Sequence, residues 1–476
     1  MRNDKAPDQT VVDSMDPNAP SNDVATTFPR LVGFSLPALG LNTLVTAVFV
    51  FLPALYAEHR HLGAAEVGTI FLLAKLVDII AAPSWGLFMD SYSTRWGRRR
   101  PWLVLSTPML MLAIFMVYNP PETATAPYLF TWLCLLYVGW SAWTISHTSW
   151  ALELSRDYDR RSRITGTLQM MSMTGGIMIA LVPAIMERVA SPTYAEKASA
   201  IGWFMFILLP ITVAICLLSL PERKTPNRPH IGFKRGAALV FRNMPLLRVL
   251  LANATLGFSW VILQALFVFL VTYSLGLEEW IGFMLVCLIV GGLLFLPVWV
   301  KLSQIWTKHA SMQAAMITGA VTLLLLLVLP EQNIVLTAVA FVLIGANTSA
   351  LEFLPRAMMA DVCDHDHIQS GSERMGLYYS LLQLSSKIAA GLAVFIGLSL
   401  LGTIGFDPEL GADNSAEALR NLRYLIVVFP ALAYASVAVM LLGYPIGRER
   451  QHEMRAVIEE RERLAVDAQP DRQAST

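Results

Sequence analysis

The stretch Lys75-Leu76-Val77-Asp78 lies inside an otherwise apolar run, and it is followed by Pro83, by Asp90 and by the basic sequence Arg95-Trp96-Gly97-Arg98-Arg99-Arg100-Pro101-Trp102. An ionised aspartate is costly inside a lipid-spanning helix, so such a residue usually marks an ion or substrate pathway. The basic turn fixes which side of the membrane this end of the helix faces. Together the two features predict a membrane transporter.

Composition places most of the chain in lipid. Of its 476 residues, 55% are hydrophobic and 15% are charged, whereas a soluble domain carries about 25% charged residues. The formal net charge of +0 gives no reason to expect a nucleic acid partner. The sequence has no HExxH, GxSxG or phosphate-loop motif, so we expect neither an enzyme nor a cofactor. Its four cysteines predict neither a zinc site nor a disulfide framework.

Twelve apolar runs approach the length of about 20 residues that a helix needs to cross the hydrocarbon layer. In the first half of the chain they are residues 31–56, 64–88, 101–118, 129–150, 164–186 and 201–220. In the second half they are residues 247–273, 280–300, 314–329, 334–358, 376–401 and 424–444. We therefore expect an all-α membrane protein in which twelve transmembrane helices form two six-helix bundles.

Polar segments flank and divide these bundles, which we predict at residues 30–220 and 247–446. Residues 1–29 lack the apolar core of a cleavable signal peptide and are interpreted as a disordered cytoplasmic tail. Residues 221–246 contain four prolines and several basic residues, and they are predicted to form a cytoplasmic linker. Residues 447–476 form a charged, helix-prone stretch that we interpret as a second cytoplasmic tail.

Basic residues orient the predicted helices. The loops at residues 95–100 and 156–163 and the linker are rich in arginine, whereas the alternate loops hold few basic residues: Arg60, Arg188, Lys197, Arg420 and Arg423. The positive-inside rule therefore predicts that both termini face the cytoplasm.

Two signatures make the chain resemble a known family. The first is Gly86-Leu87-Phe88-Met89-Asp90 followed by the basic sequence at residues 95–102. The second is Met359-Ala360-Asp361-Val362-Cys363-Asp364-His365, with Gly371, Glu373, Arg374, Gly376 and Lys387 behind it. Over residues 30–446 the chain resembles the major facilitator superfamily, and within it the glycoside–pentoside–hexuronide:cation symporters typified by the melibiose carrier.

That resemblance implies roles for single residues. Asp78 matches the first of the family's two cation-site aspartates on helix 2, and the second is replaced here by Ala82. Lys75 stands where a basic residue is often found, and Lys387 matches the family's lysine on helix 11. The family's substrate-binding positions on helices 1, 4 and 5 fall on Asn42, on Ser146 or His147, on Trp150 and on Gln169.

Asp78 is the candidate coupling group, with Lys75 as its partner. One carboxylate can gain and lose a proton in a transport cycle, whereas hard cations prefer several oxygen ligands. Because Ala82 removes a second carboxylate, we expect proton coupling rather than sodium coupling. The alternative is a static pair of Asp78 with Lys75 or Lys387 that only locks helices together.

Further substrate-binding candidates come from helical spacing. Trp140, Trp143, His147 and Trp150 fall on one stripe of helix 4, where indole rings could stack on a sugar or another flat ligand. An aromatic stripe is more often packing, but His147 favours an inward orientation. Lys387 lies too deep in helix 11 to reach the interface easily. Trp260 and Gln264 on helix 7 and Gln383 on helix 11 are weaker candidates.

Charged residues at the cytoplasmic rim predict a gate. Networks of charged side chains can hold an inner gate closed in one state and release it in another, and anchoring of the topology is the alternative. The predicted gate residues are Asp90, Arg95, Arg98, Asp361, Asp364 and Arg374.

These features predict a secondary active transporter that imports a sugar-like or glycoside-like small solute with a coupled cation by alternating access. A carrier of a non-sugar amphiphile or lipid-like solute is one alternative, and a membrane sensor that does not transport is another. We expect a monomer in the lipid bilayer of a bacterial inner membrane.

Overall fold

The computed structural model describes residues 27–59, 62–92, 94–154, 158–189, 192–220, 222, 243–370, 374–447, 449–451, 453, 454, 457 and 460. Residues 1–26 of the predicted tail at residues 1–29, and most of the predicted linker and C-terminal tail, lie outside these residues. Within the described ranges the fold is helical, and the β-structure there is one isolated bridge between Thr94 and Gly97.

Twelve long helices, numbered α1 to α12, are present in the described residues. The N-terminal half contains α1 (residues 28–59), α2 (Ala64–Ser91), α3 (Arg100–Tyr118), α4 (Ala126–Glu153), α5 (Tyr158–Val189) and α6 (Tyr194–Ser219). The C-terminal half contains α7 (residues 244–274), α8 (Ile281–Ile305), α9 (Lys308–Leu325), α10 (Ile334–Ser370), α11 (Met375–Thr403) and α12 (Ala416–Met440). The predicted twelve-helix fold is confirmed.

Ten of these helices are long and apolar enough to cross a membrane. The other two are α2, with Lys75 and Asp78 near its middle, and α9, with 18 residues. Several helices extend beyond the apolar runs that predict them; α10, for example, continues twelve residues past the predicted end at Met358. The apolar run covers only the part of a helix that crosses the hydrocarbon layer, whereas the backbone hydrogen bonds of the same helix can continue into water.

The first helix of each half is irregular. Pro37 lies in a 3₁₀ turn of α1, and residues Ala47–Phe51 are π-helical. In α7 the helix breaks at Leu266, and residues Leu270–Ser274 are π-helical.

Near the end of both helices, one backbone amide donates to a carbonyl oxygen six residues earlier. The Leu62 amide donates to the Tyr56 carbonyl over 3.3 Å, and the Leu277 amide donates to the Val271 carbonyl over 2.9 Å.

Alternation of the helices gives the molecule two faces. We call the side where α1 begins and α12 ends the terminal face, and the opposite side the distal face. The two halves meet along α2 and α11, along α5 and α8, and where α1 approaches α7. Glycines allow close contact: a Cβ on Gly391 of α11 would lie 3.1 Å from the Lys75 Cβ of α2.

Candidate functional site

A cluster of charged side chains joins the two halves near the middle of α2 and α11. Asp78 Oδ2 lies 3.0 Å from Lys75 Nζ, and Asp78 Oδ1 lies 2.9 Å from Lys387 Nζ. The Ser141 hydroxyl on α4 also donates to Oδ1, and Lys387 Nζ donates to Ser141 Oγ over 3.0 Å. Helices α2, α4 and α11 thus supply one carboxylate, two ammonium groups and a hydroxyl.

Lys75 belongs to the inside of this cluster. Its side chain is 8% exposed, and its Nζ lies 4.1 Å from the centre of the Tyr137 ring. The rings of Phe49 and Trp140 lie within 5.8 Å of the same atom. Aromatic faces attract a cation, so both Asp78 and the surrounding rings stabilise the buried ammonium group.

Lys387 approaches Asp78 from the other half and is more accessible. Its side chain is 28% exposed, compared with 3% for Asp78. One turn earlier on α11, the Gln383 residue is exposed. On the neighbouring α7, Asn253 donates to the hydroxyls of Ser385 and Ser386 over 2.9 and 2.8 Å, which ties α7 to this part of α11.

The aromatic stripe of α4 lies inside the N-terminal half. Trp143, His147 and Trp150 are almost completely buried, and His147 Nε2 lies 2.9 Å from the Phe34 carbonyl oxygen of α1. The Phe34 ring packs against both His147 and Trp150. Ser146, also buried, donates to the Ala142 carbonyl oxygen. These four predicted substrate residues therefore contribute contacts within the bundle, and a substrate role for them stays a prediction.

The other predicted substrate residues are dispersed. Asn42 on α1 and Gln169 on α5 are half-buried, and a Cβ on Gly176 of α5 would lie 3.5 Å from the Asn42 Cβ. On α7, Trp260 is half-buried, whereas Gln264 is buried and its Oε1 has no hydrogen-bond partner. An unpartnered amide oxygen in a protein interior is uncommon, so Gln264 has free capacity for a donor.

At the terminal face two predicted gate residues, Asp361 and Arg374, contact groups in their own half. Asp361 Oδ1 lies 2.6 Å from Lys308 Nζ at the start of α9, and Arg374 Nη1 lies 3.6 Å from Asp366 Oδ1. Asp364 is half-buried and Arg95 is exposed, and the Asp90 side chain lies outside the described atoms. A gating role for this set stays a prediction.

Arg98 and its neighbours bind the carboxylate of Glu222. Glu222 Oε1 accepts from the amides of Arg98 and Arg99 over 2.5 and 2.6 Å, and its Oε2 accepts from the Arg100 amide over 2.9 Å. Gly97 has a φ of 119°, and a Cβ there would lie 2.1 Å from Glu222 Oε2. The positive φ of Gly97 favours glycine at this turn, and Glu222, three residues beyond the end of α6, caps the start of α3.

At the distal face, polar side chains connect the halves directly. Glu187 of α5 accepts from the Gly282 amide of α8 over 3.1 Å and pairs with Lys197 Nζ over 3.3 Å. Lys197 also donates to the Glu278 carbonyl oxygen over 3.1 Å. The Glu58 carboxylate of α1 accepts from the Tyr273 hydroxyl of α7. We call Glu58, Glu187, Lys197 and Tyr273 the distal clasp.

Sequence reasoning misses the distal clasp and Ser141. The predicted fifth span ends at Met186 and the predicted sixth begins at Ile201, so Glu187 and Lys197 count only as loop charges. The sequence offers one signal for this pair, because Glu187 and Lys197 have opposite charges and lie on either side of a short loop. Serine is common in membrane helices, and nothing in the sequence distinguishes Ser141 from the others.

The chain matches the family described as MFS/sugar transport protein over residues 33–448. The isoprimeverose transporter of Lactiplantibacillus pentosus is 24% identical over 433 residues, which cover 87% of this chain and 88% of that protein. The sodium-dependent lysophosphatidylcholine symporter 1 of Homo sapiens is 21% identical over 435 residues, which cover 83% of this chain and 79% of that protein.

A solved structure shares the fold. A bacterial homologue of the human lysosomal transporter Spinster, in an inward-facing and unoccupied conformation, has a TM-score of 0.60 at 15% identity, covering 88% of this chain and 98% of that chain. The expected family is confirmed, and its fold is that of membrane transporters. This chain is an integral membrane protein that belongs to the MFS/sugar transport protein family.

Proposed function

We propose that this secondary transporter imports a sugar-like or glycoside-like small solute together with a proton, by alternating access between its two halves. The observation that carries the proposal is the shared position of Asp78. Its carboxylate binds Lys75 of its own half and Lys387 of the opposite half. A group that joins both halves near mid-membrane can link proton binding to their relative movement.

The surroundings of Asp78 favour a proton over sodium as the coupled cation. Both carboxylate oxygens already accept from N–H or O–H groups. A sodium ion would need several oxygen ligands, and the next turn of α2 offers Ala82 instead of a second carboxylate. A proton needs only one lone pair, and Oδ1 has one available when Lys387 turns away, since the Ser141 hydroxyl donates to the other.

The sugar-like substrate is supported by the family and by the relative named an isoprimeverose transporter. An amphiphile is the second candidate, because the human relative is named a lysophosphatidylcholine symporter. We place the protein as a monomer in a bacterial inner membrane with both termini in the cytoplasm, as the basic residues of the loops indicate.

The experiment uses the full chain reconstituted in lipid vesicles and a panel of labelled glycosides and lysophospholipids. We expect an inward proton gradient to drive accumulation of one compound, and a sodium gradient alone to have no effect. Asp78→Asn keeps the shape of the side chain but cannot exchange the proton. It should abolish accumulation against a gradient and leave exchange of labelled for unlabelled compound intact.

Asp413→Asn, on the exposed loop before α12, is the matched control and should accumulate substrate like the parent chain. Unchanged uphill uptake by Asp78→Asn would refute coupling through this carboxylate. Binding of a compound without uptake would favour the sensor alternative.

A further inference from the structure

An open cleft lies at the terminal face, between the start of α3 and the end of α6. It has a volume of about 170 Å³ and is lined by Trp96, Arg100, Val104 and Leu217. Trp96 and Val104 are exposed, Trp96 to 69%, so the cleft is open to the surroundings of the protein. The lining combines one cation, one indole ring and two apolar side chains, and none of these four residues has a carboxylate.

Arg100 brings a guanidinium group with unused donors to this cleft. Its Nη2 donates to the carbonyl oxygens of Leu217 and Leu220 at the end of α6, and its Cζ lies 5.4 Å from the centre of the Trp150 ring. Within the described part of the chain, Nη1 makes no hydrogen bond and Nε is buried without a partner. Since a guanidinium group has five N–H bonds, the two on Nη1 remain available to a ligand.

The chain itself offers this guanidinium group little negative charge. The carboxylate of Glu222 is bound by the backbone amides at the start of α3, so those amides are not the site either. The next segment of the chain, residues 223–242, has no acidic residue and carries these basic ones: Arg223, Lys224, Arg228, Lys234, Arg235 and Arg242. Charge complementarity therefore favours an anion from outside the chain.

A seam between α3 and α6 leads from the cleft into the membrane. Val104 and Phe115 are eleven residues apart, about three helical turns, so they lie on the same side of α3. The same spacing places Leu217 and Phe206 on one side of α6. Val104 and Leu217 line the cleft, and the rings of Phe115 and Phe206 have centres 6.0 Å apart. The seam thus starts at the cleft and is closed by these two rings.

The seam is apolar and has the length of one layer of acyl chains. Pro108 of α3 and Ala214 of α6 lie one turn from the cleft, are exposed, and have small side chains that leave room beside them. Three helical turns span about 16 Å, and one leaflet of the hydrocarbon core is about 15 Å thick. Arg100 then lies at the depth of the headgroups, where tryptophans such as Trp96 are enriched.

We propose that this cleft binds the headgroup of an anionic phospholipid whose acyl chains lie along the seam between α3 and α6. Arg100 Nη1 and the indole N–H of the exposed Trp96 are the donors for the phosphate oxygens. Anionic lipids are abundant in the cytoplasmic leaflet, and the basic loops predict that the terminal face is cytoplasmic. A choline headgroup fits less well, because its cation would meet Arg100 and the exposed Arg95.

Native mass spectrometry of the full chain, released from a neutral detergent, tests which lipids are retained. The probes share their acyl chains: dioleoylphosphatidylglycerol is anionic, dioleoylphosphatidylcholine is neutral overall, and dioleoylglycerol has no phosphate. We expect one phosphatidylglycerol molecule to be retained about tenfold or more over the other two, the effect of a hydrogen bond to a charged group. Glycerol 1-phosphate, which has the phosphate without the chains, should not displace it at equal concentration.

Variants locate the retained lipid. Val104→Trp fills the cleft and leaves every charge in place, and both it and Arg100→Gln should lower retention of phosphatidylglycerol by about tenfold or more. Arg100→Lys should keep part of the retention. Because Arg100 also holds the end of α6, Val104→Trp tests the site without removing that contact. Val321→Trp, at an exposed apolar position of α9, is the matched control and should retain lipid like the parent chain.

Four outcomes would overturn the proposal. Equal retention of phosphatidylglycerol and either other lipid would remove the role of the anionic headgroup. Displacement by glycerol 1-phosphate would indicate a site for a soluble phosphate compound. Unchanged retention in Val104→Trp would place the lipid elsewhere on the protein. The last is a parent chain that retains no lipid, and a lower midpoint of thermal unfolding in Val104→Trp would then assign the cleft to the predicted linker.

Discussion

Asp78 holds together two ammonium groups that would otherwise repel each other inside the membrane core. Its side chain is 3% exposed, and its two oxygens serve lysines from different halves. Removal of one member of a buried ion pair leaves an uncompensated charge, which is more costly than loss of the pair as a whole. The stability of the protein should therefore depend on the balance of the cluster more than on any single contact.

We expect Asp78→Ala to lower the stability of the protein by about 3–5 kcal/mol, because Lys75 then stays buried without a carboxylate. Adding Lys75→Met removes the stranded charge and should recover a large part of that loss. The measurement is the midpoint of thermal unfolding in detergent for both single variants and the double variant. Additive losses in the double variant would contradict the ion-pair account.

Residue-level prediction from the sequence succeeds where a side chain is chemically conspicuous. Asp78, Lys75 and Lys387 stand out because a charge in an apolar run is expensive, and the structure brings all three together. Their mutual geometry does not follow from the sequence, since the contact of α2 with α11 joins residues 309 positions apart. One sequence alone does not show which residues of two distant helices face each other.

On the scale of the helices, close backbone approach depends on a few glycines. A Cβ on Gly345 of α10 would lie 1.9 Å from the Leu288 carbonyl oxygen of α8. In the same pair of helices, a Cβ on Gly291 would lie 2.1 Å from the Val342 carbonyl oxygen. Since backbone atoms cannot turn aside as a flexible side chain can, the two helices must separate to admit a larger residue.

Gly345→Ala should therefore destabilise the protein by about 1–3 kcal/mol, the typical cost of overpacking. Gly402→Ala on α11 is the control, because no heavy atom lies within 4 Å of a Cβ there, and it should be neutral or slightly stabilising. Thermal unfolding midpoints of both variants in one detergent make the comparison. Equal midpoints would contradict the close contact between α8 and α10.

The distal clasp gives a second prediction for the helices. Glu187 and Lys197 are 1% and 3% exposed, and Glu187 also holds the amide at the start of α8. Glu187→Gln should destabilise the conformation in which the distal face is closed, because it leaves Lys197 buried without its carboxylate. Removing one partner of a buried ion pair costs about 3–5 kcal/mol. We expect the protein to spend more time with this face open.

The measurement is the distance between spin labels at Glu122→Cys and Glu331→Cys, which lie on exposed distal loops of the two halves. The four native cysteines are first replaced by alanine so that only these two positions are labelled. The expected result in Glu187→Gln is a longer label-to-label distance for a larger part of the population. Glu417→Gln, an exposed residue at the start of α12, should leave the distribution unchanged. An unaltered distribution in Glu187→Gln would argue against the clasp.

Helix faces are harder to predict than helices. Spacings of three and four residues place Trp143, His147 and Trp150 on one stripe of α4, but they do not say what the stripe contacts. The structure packs it against Phe34 of α1. Ser141, on another side of the same helix, reaches the charged cluster instead. Residue spacing therefore predicts which side chains share a face of the helix, whereas the packing of the neighbouring helices determines what that face contacts.

On the scale of the whole molecule, the even number of helices places both ends of the helical core on the terminal face. Basic residues predict that this face is cytoplasmic. A membrane-impermeant maleimide added to intact cells should therefore label Glu122→Cys on the distal face and leave Arg95→Cys unlabelled until the membrane is opened. Labelling in the reverse order would invert the predicted orientation.

The ends of α1 and α7 share one offset along the chain. Tyr56 and Leu62 correspond to Val271 and Leu277 at a separation of 215 positions, and the same separation divides Glu58 from Tyr273, whose side chains are hydrogen-bonded to each other. Equivalent positions of the two halves therefore lie opposite each other at the distal face, so a substitution at one of them acts directly on its counterpart.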